Sequence, residues 1–232
     1  MHGCAKCRCS DRFRQVNSYA LMWSGGKDSY LALIRAKQQG LGVTTLVNFY
    51  DGPTGRVRFH ATRHELIEAQ AFALGLRLHQ HATTAAGYEA GFRAALRQLA
   101  EAGCPGVVFG NIHLADVRAW FEERVRAQRL EHHEPLWGDP PDALLDAFVD
   151  SGAQAVITCV DTAKLPASWL GRSLDEAFAA DIARQPGVDP CGERGEYHSF
   201  VHAGPLFAQP VSWRPGPIHE EKGFAQLELL SR

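Results

Sequence analysis

The chain predicts an α/β fold, a largely parallel sheet with helices on both faces and a smaller C-terminal α+β subdomain, and three observations predict it. Apolar runs of five to eight residues alternate with longer segments of helical period. Glycines stand where the helices should stop, before the next strand. After about residue 160 the rhythm breaks into a tract rich in glycine and proline.

The elements follow in order. A first strand is predicted at 19–23, and a helix at 30–39 that ends before Gly40. A strand at 44–50 leads to a helix at 61–74, opened by Thr62 and Glu65 at capping-box spacing and closed by Gly75. A strand at 76–81, a helix at 88–102 before Gly103, a strand at 106–109 and a helix at 114–128 continue the alternation. His132 and His133, ahead of Pro135 and Trp137, are expected in a solvent-exposed loop. A helix at 142–151 before Gly152 precedes a fifth strand at 153–160. Beyond it, a helix near 173–184 and short alternating runs at 197–202 and 224–230 make up the subdomain. The expected division is a flexible, cysteine-containing tail over 1–17, an α/β domain over 18–160 and a subdomain over 161–232.

Composition narrows the class. With 232 residues the chain can bury roughly 70% of its unfolded surface. A formal net charge of -2 with 22% charged residues excludes a basic nucleic-acid coat and a disordered polymer. No run is long enough to cross a bilayer and the first 20 residues lack the apolar core of a secretory signal, so a cytoplasmic location without membrane contact is expected. Six cysteines, unevenly spread, are expected as reduced thiols. Cys4, Cys7 and Cys9 with His2 supply enough ligands for one zinc, against the plainer reading of a frayed tail, while Cys104, Cys159 and Cys191 read as packing residues. Trp137, Trp169 and Trp213 are candidates for a pocket wall or for the core.

The chemistry concentrates at Ser24-Gly25-Gly26-Lys27-Asp28-Ser29, between the first strand and the first helix. Two glycines let backbone amides approach an anion, the helix N-terminus adds a favourable dipole, and two hydroxyls add donors. Lys27 offsets phosphate charge, whereas Asp28 beside a polyanion calls for a cation such as Mg²⁺, held by carboxylate and phosphate oxygens. The spacing is neither GxxxxGK[ST] nor GxGxxG. SGGKDS instead resembles the PP-loop of the ATP pyrophosphatases, which cleave ATP between the α and β phosphates.

A second cluster follows at Gly192-Glu193-Arg194-Gly195-Glu196-Tyr197, with Pro205-Leu206-Phe207 after it, Leu136-Trp137-Gly138-Asp139 before it and Leu170-Gly171-Arg172 between. Together with the loop, from about residue 19 to 208, these motifs resemble the diphthine-ammonia ligase family of PP-loop enzymes and its bacterial relatives of the adenine-nucleotide α-hydrolase type. The resemblance implies a HUP-type, Rossmann-like α/β domain and a C-terminal domain on the substrate side. It implies a ligase that adenylates a carboxylate with ATP and lets ammonia displace AMP. Its partners are ATP, ammonia and a small-molecule or protein carboxylate acceptor, with a homodimer as a further candidate and nucleic acid not expected.

Residue by residue, the resemblance implies that Ser24, Gly25, Gly26, Lys27, Asp28 and Ser29 bind the phosphates, with Asp28 also on Mg²⁺, and it sets His60 near the nucleotide. Gly192, Gly195 and Tyr197 fall on the substrate side, and Lys27, Asp28, Glu193 and Glu196 are the catalytic candidates, one glutamate orienting the substrate or relieving the amine of a proton. Asn111, Asp116, Arg118 and Glu123, after the fourth strand, are substrate-side candidates because open parallel sheets bind ligands at that edge. His198-Ser199 stands where the eukaryotic ligases read Glu-Thr in GEYET, which points to an acceptor other than diphthine. Two other readings remain: an RNA sulfurtransferase, disfavoured by the charge and by the lack of a CxxC pair in the body of the chain, and a non-catalytic ATP-binding regulatory module, disfavoured by the intact Lys27-Asp28 pair.

Overall fold

The computed structural model describes residues 18–58 and 60–231. The tail expected over 1–17, with His2, Cys4, Cys7 and Cys9, lies outside them. The first sheet contains β1 (Tyr19–Met22), β2 (Val43–Asp51), the two-residue β3 (Arg56–Val57), β4 (Arg77–Thr83), β5 (Gly106–Val108) and β6 (Glu131–His133). Five of these run parallel in the order β4-β2-β1-β5-β6, while β3 lies antiparallel to the end of β2. The crossovers are α1 (Lys27–Gln38), α2 (His64–Leu74), α3 (Tyr88–Glu101) and α4 (Ala115–Ala127). From β1 the chain winds outward through β2 and β4, then returns past β1 to β5 and β6. The reversal leaves a crevice between the carboxyl ends of β1 and β5.

Strand alternation decides which face each side chain serves. Leu21, Leu46 and Val108 enter one core with α1; Ala20, Val47 and Val107 enter another with Phe92 and Leu96 of α3 and Val125 of α4. The first core continues through α5 (Pro141–Asp150) into a second, antiparallel sheet. That sheet is formed by β7 (Gln154–Asp161), β8 (Tyr197–Ala203), β9 (Trp213–Glu221) and β10 (Phe224–Ser231), in the order β8-β7-β10-β9, with α6 (Glu176–Ile182) against it. Ala155, Ile157, Tyr197, Val201 and Ala225 thus share one apolar interior with the first sheet.

The α/β class and all six expected helices are present, with bounds shifted by up to three residues. Gly40, Gly75, Gly103 and Gly152 all take positive φ, as helix stops require. Three expectations are corrected. The run 153–160 is β7 of the antiparallel sheet, paired with β8 and β10; an apolar strand buried on both faces reads alike in either sheet. His132 and His133 belong to β6, the fifth parallel strand, and the His132 side chain is only 2% exposed against Phe109. The capping box is not formed: α2 starts at His64 and Thr62 Oγ1 donates to the His60 carbonyl instead.

Candidate active site

A cavity of about 430 Å³ occupies the crevice at the carboxyl edge. The first sheet supplies Trp23, Asn48, Phe49 and Phe109 to its wall, the second supplies Tyr197, His198 and Ser199, and the turn before β8 adds Cys191, Gly192 and Glu193. The glycine loop lies where the two sheets meet.

Gly25 takes φ +84°, and a Cβ there would sit 2.6 Å from Ile67 Cδ1 and 2.8 Å from Gln70 Oε1. A Cβ on Gly26 would meet the His60 ring at 2.8 Å and the Ser199 carbonyl at 3.1 Å. Both positions therefore require glycine. Gln70 of α2, fully buried, accepts from Trp23 Nε1 (2.8 Å) and donates to the carbonyls of Gly25 (3.0 Å) and Val201 (2.6 Å). Val201 N also donates to Gly25 O (2.9 Å), so the loop is stitched to β8. On the neighbouring strand, Asn48 Nδ2 donates to Trp23 O (2.9 Å).

Helix α1 begins at Lys27, earlier than its apolar period indicates, so Lys27, Asp28 and Ser29 form its first turn. Of their three amides, that of Lys27 donates to Ser199 Oγ (3.2 Å). Those of Asp28 and Ser29 have no acceptor among the described residues and are available to an anion at the helix N-terminus. Lys27, 3% exposed, reaches both Asp28 carboxylate oxygens (2.7 and 2.9 Å) and the Cys191 carbonyl. Burial works against its charge, yet the Asp28 carboxylate leads the opposing influences and the pKa ends well above the ordinary lysine value. Ser29 Oγ donates to Gly26 O (2.9 Å), and Ser24 Oγ accepts from Gly26 N (3.3 Å).

The second half closes over this loop through paired contacts. Glu193 Oε1 accepts the Ile112 amide (3.1 Å), and burial, reinforced by the nearby Asp28 carboxylate, raises its pKa to about 7. His113 Nε2 lies 2.6 Å from Asp189 Oδ2, while Asp189 Oδ1 accepts from Cys191 N (2.8 Å). Tyr197 OH donates to Pro190 O (2.6 Å), its ring 5.3 Å from Lys27 Nζ. His60 and His198 lie with ring centroids 4.6 Å apart, burial lowering the pKa of both.

Of the residues singled out in sequence, Ser24, Lys27, Asp28, Ser29, His60, Asn111, Gly192, Glu193 and Tyr197 line the cavity, and Gly25 and Gly26 shape the loop beneath it. Five others do not line it. Asp116 is exposed, and Glu123 is exposed and pairs with Arg124. Arg118 lies 3.2 Å from the buried Glu134 carboxylate and over the Trp137 ring. Glu196 is fully buried behind the turn, accepting the amides of Asp189 (3.2 Å) and Arg194 (3.0 Å). Gly195 sits in that turn at φ +85°. Trp137, Trp169 and Trp213 do not line the cavity either; Trp23 does. Gln70 and Asn48 carry no motif in the sequence, and Ser199 stands out there only as a departure from the family motif, not as a partner of the loop. Gln70 was visible in principle as a polar residue on the apolar face that Leu66, Ile67 and Ala71 define.

Asp28 is the single cavity carboxylate in the loop, and no cluster of three His, Cys, Asp or Glu able to hold a metal forms among the described residues. One carboxylate facing a phosphate-sized cradle fits Mg²⁺ bound jointly by protein and nucleotide oxygens, rather than a resident metal centre.

A glycine loop opening a helix at the switch point of a β4-β2-β1-β5-β6 sheet, covered by a second sheet, defines a Rossmann-like α/β protein of the HUP class. Residues 17–131 match the family model described as diphthamide synthase N-terminal domain, and residues 140–228 match diphthamide synthase C-terminal domain. The chain belongs to the diphthine-ammonia ligase family of PP-loop ATP pyrophosphatases. It is 26% identical over 233 residues to a diphthine–ammonia ligase of Danio rerio, covering 89% of this chain and 91% of that protein. To the Homo sapiens diphthine–ammonia ligase it is 26% identical over 237 residues, 91% of this chain and 89% of the relative. No helix among the described residues is long and apolar enough to cross a membrane.

Proposed function

We propose that the protein is an ATP-dependent carboxylate–ammonia ligase: an acceptor carboxylate attacks the α-phosphorus of ATP, pyrophosphate leaves, and ammonia then displaces AMP to give the amide. The observation that carries this reading is one cavity that joins the SGGKDS loop to Glu193 and Tyr197 of the other half. The free amides of Asp28 and Ser29, with Lys27, would stabilise charge growing on the leaving pyrophosphate. Mg²⁺, held by Asp28 with the phosphates, would supply further charge neutralisation. Glu193, at the mouth of the turn, orients the acceptor, while Tyr197 and the aromatic wall exclude water.

The acceptor departs from diphthine in this reading, because His198 and Ser199 line the cavity where the eukaryotic motif has Glu-Thr. Cys191, the thiol at the cavity, lies 3.1 Å from Pro141 O with its pKa pushed up by burial to about 12, which suits packing rather than sulfur transfer. A cytoplasmic setting belongs to the same reading.

Phosphorus NMR of the protein with Mg-ATP and ammonium tests it, with a fractionated small-molecule extract and, separately, a diphthine-bearing elongation factor as acceptors. AMP and pyrophosphate that rise with one extract fraction and with ammonium, and that vanish in Asp28→Ala, are expected. ADP and phosphate would refute the mechanism, and strong amidation of the elongation factor would refute the assignment of a different acceptor.

A further inference from the structure

One imidazole at the cavity is held in a single tautomer with its other nitrogen open. His60 Nδ1 lies 3.2 Å from the carbonyl oxygen of Ser199. A carbonyl only accepts, so Nδ1 carries the proton and Nε2 of the neutral ring keeps its lone pair. No hydrogen bond to Nε2 forms among the described residues, and the residue lines the cavity. The backbone is fixed as well, since the His60 carbonyl accepts from Thr158 Oγ1 (2.9 Å) and Thr62 Oγ1 (3.3 Å). The ring packs against Gly26 of the loop on one side and His198 on another.

The charged and titratable groups around it favour an uncharged ring. Burial lowers its pKa most; the Ser199 bond and Asp28 oppose this, and Lys27 of α1 adds to it. His198 from β8 is itself held neutral by burial, by His60 and by Lys27.

On the ligase reading above, on which this step rests, ammonia adding to an adenylated carboxyl creates a nitrogen that must lose a proton before the amide is stable. We infer that His60 is the catalytic base that takes this proton, through Nε2. The C–N bond forms as the carbonyl pair moves onto oxygen. A proton passes from nitrogen to Nε2, the oxyanion pair then re-forms the carbonyl as the C–O bond to phosphate breaks, and AMP departs with the electron pair of that bond. The imidazolium returns its proton to solvent. Glu193, committed to the Ile112 amide, is left to orient the acceptor.

His60→Asn tests the assignment, because its side-chain amide N–H can replace Nδ1–H toward Ser199 while Nε2 is deleted. Amide formation from ammonia is compared with hydroxamate formation from hydroxylamine, a nucleophile already neutral near pH 7 whose adduct sheds its proton readily. The acceptors are the active extract fraction and the diphthine-bearing elongation factor. The variant should lose about 10²–10³-fold of the ammonia rate and less than about tenfold of the hydroxylamine rate. Equal losses with both nucleophiles would overturn the base role while leaving the ligase reading intact. Absence of both products from the wild type would overturn the ligase reading and this assignment together. Independently of turnover, nitrogen-15 NMR of the wild-type imidazoles at pH 7 should show His60 protonated at Nδ1 alone; a proton on Nε2 would refute the tautomer.

Discussion

Gln70→Leu removes the side chain that ties the phosphate loop to both sheets while keeping similar volume. Trp23 Nε1 then loses its acceptor in a residue only 2% exposed, and the carbonyls of Gly25 and Val201 each lose a donor. An orphaned buried donor costs about 1–3 kcal/mol and each further lost bond about 0.5–1.5 kcal/mol, so the variant should be destabilised by about 2–6 kcal/mol. At about 2–4 °C per kcal/mol for a chain of this size, that lowers Tm by about 4–24 °C, read by circular dichroism. Part of the loss falls on Gly25, so nucleotide affinity measured by calorimetry well below the new Tm should fall too, tenfold for each 1.4 kcal/mol needed to reorder the loop. A Tm within about 2 °C of wild type, with unchanged nucleotide affinity, would refute the view that Gln70 holds the loop.

Two further outcomes are expected. Because the folded-state pKa of Glu193 is raised to about 7, the folded chain holds a proton that the unfolded chain releases near 4.5, so Glu193 loses stabilising effect as pH climbs through that window. Melting curves of Glu193→Gln should therefore gain on wild type between about pH 4.5 and 7 and run parallel above it; a constant difference would exclude the shift. Glu196→Ala should behave as a folding variant, because it strands the amides of Asp189 and Arg194 at about 1–3 kcal/mol for each that is buried. Hydrogen exchange at residues 189–196 should accelerate, and an unchanged exchange rate with lost turnover would restore Glu196 to the chemistry.

The helix at 88–102 was legible to within a residue because its apolar period and its flanking glycine acted locally. The three-residue β6 was not, since its pairing with β5 comes from a crossover rather than from any run of its own. In the same way, the two glutamates of GERGE read alike in sequence. Folding sends Glu193 into the cavity and Glu196 behind the turn, because three residues along a bend reverse the direction in which a side chain points.

The α/β class and the glycine loop at the end of the first strand are written in local spacing, strand, turn and helix within a few dozen residues, and the family is written in short motifs, SGGKDS together with GERGEY, PLF, LWGD and LGR, each read without knowing where it lies in space. Tertiary structure alone decided that Ser199 supplies its hydroxyl to the Lys27 amide and its carbonyl to His60, and that Gln70 clamps Gly25. Those contacts span 45 to 172 residues, and no local propensity encodes them. They arise because the two sheets share one apolar core, and burying it brings β8 against the loop, where each buried polar group must find its partner.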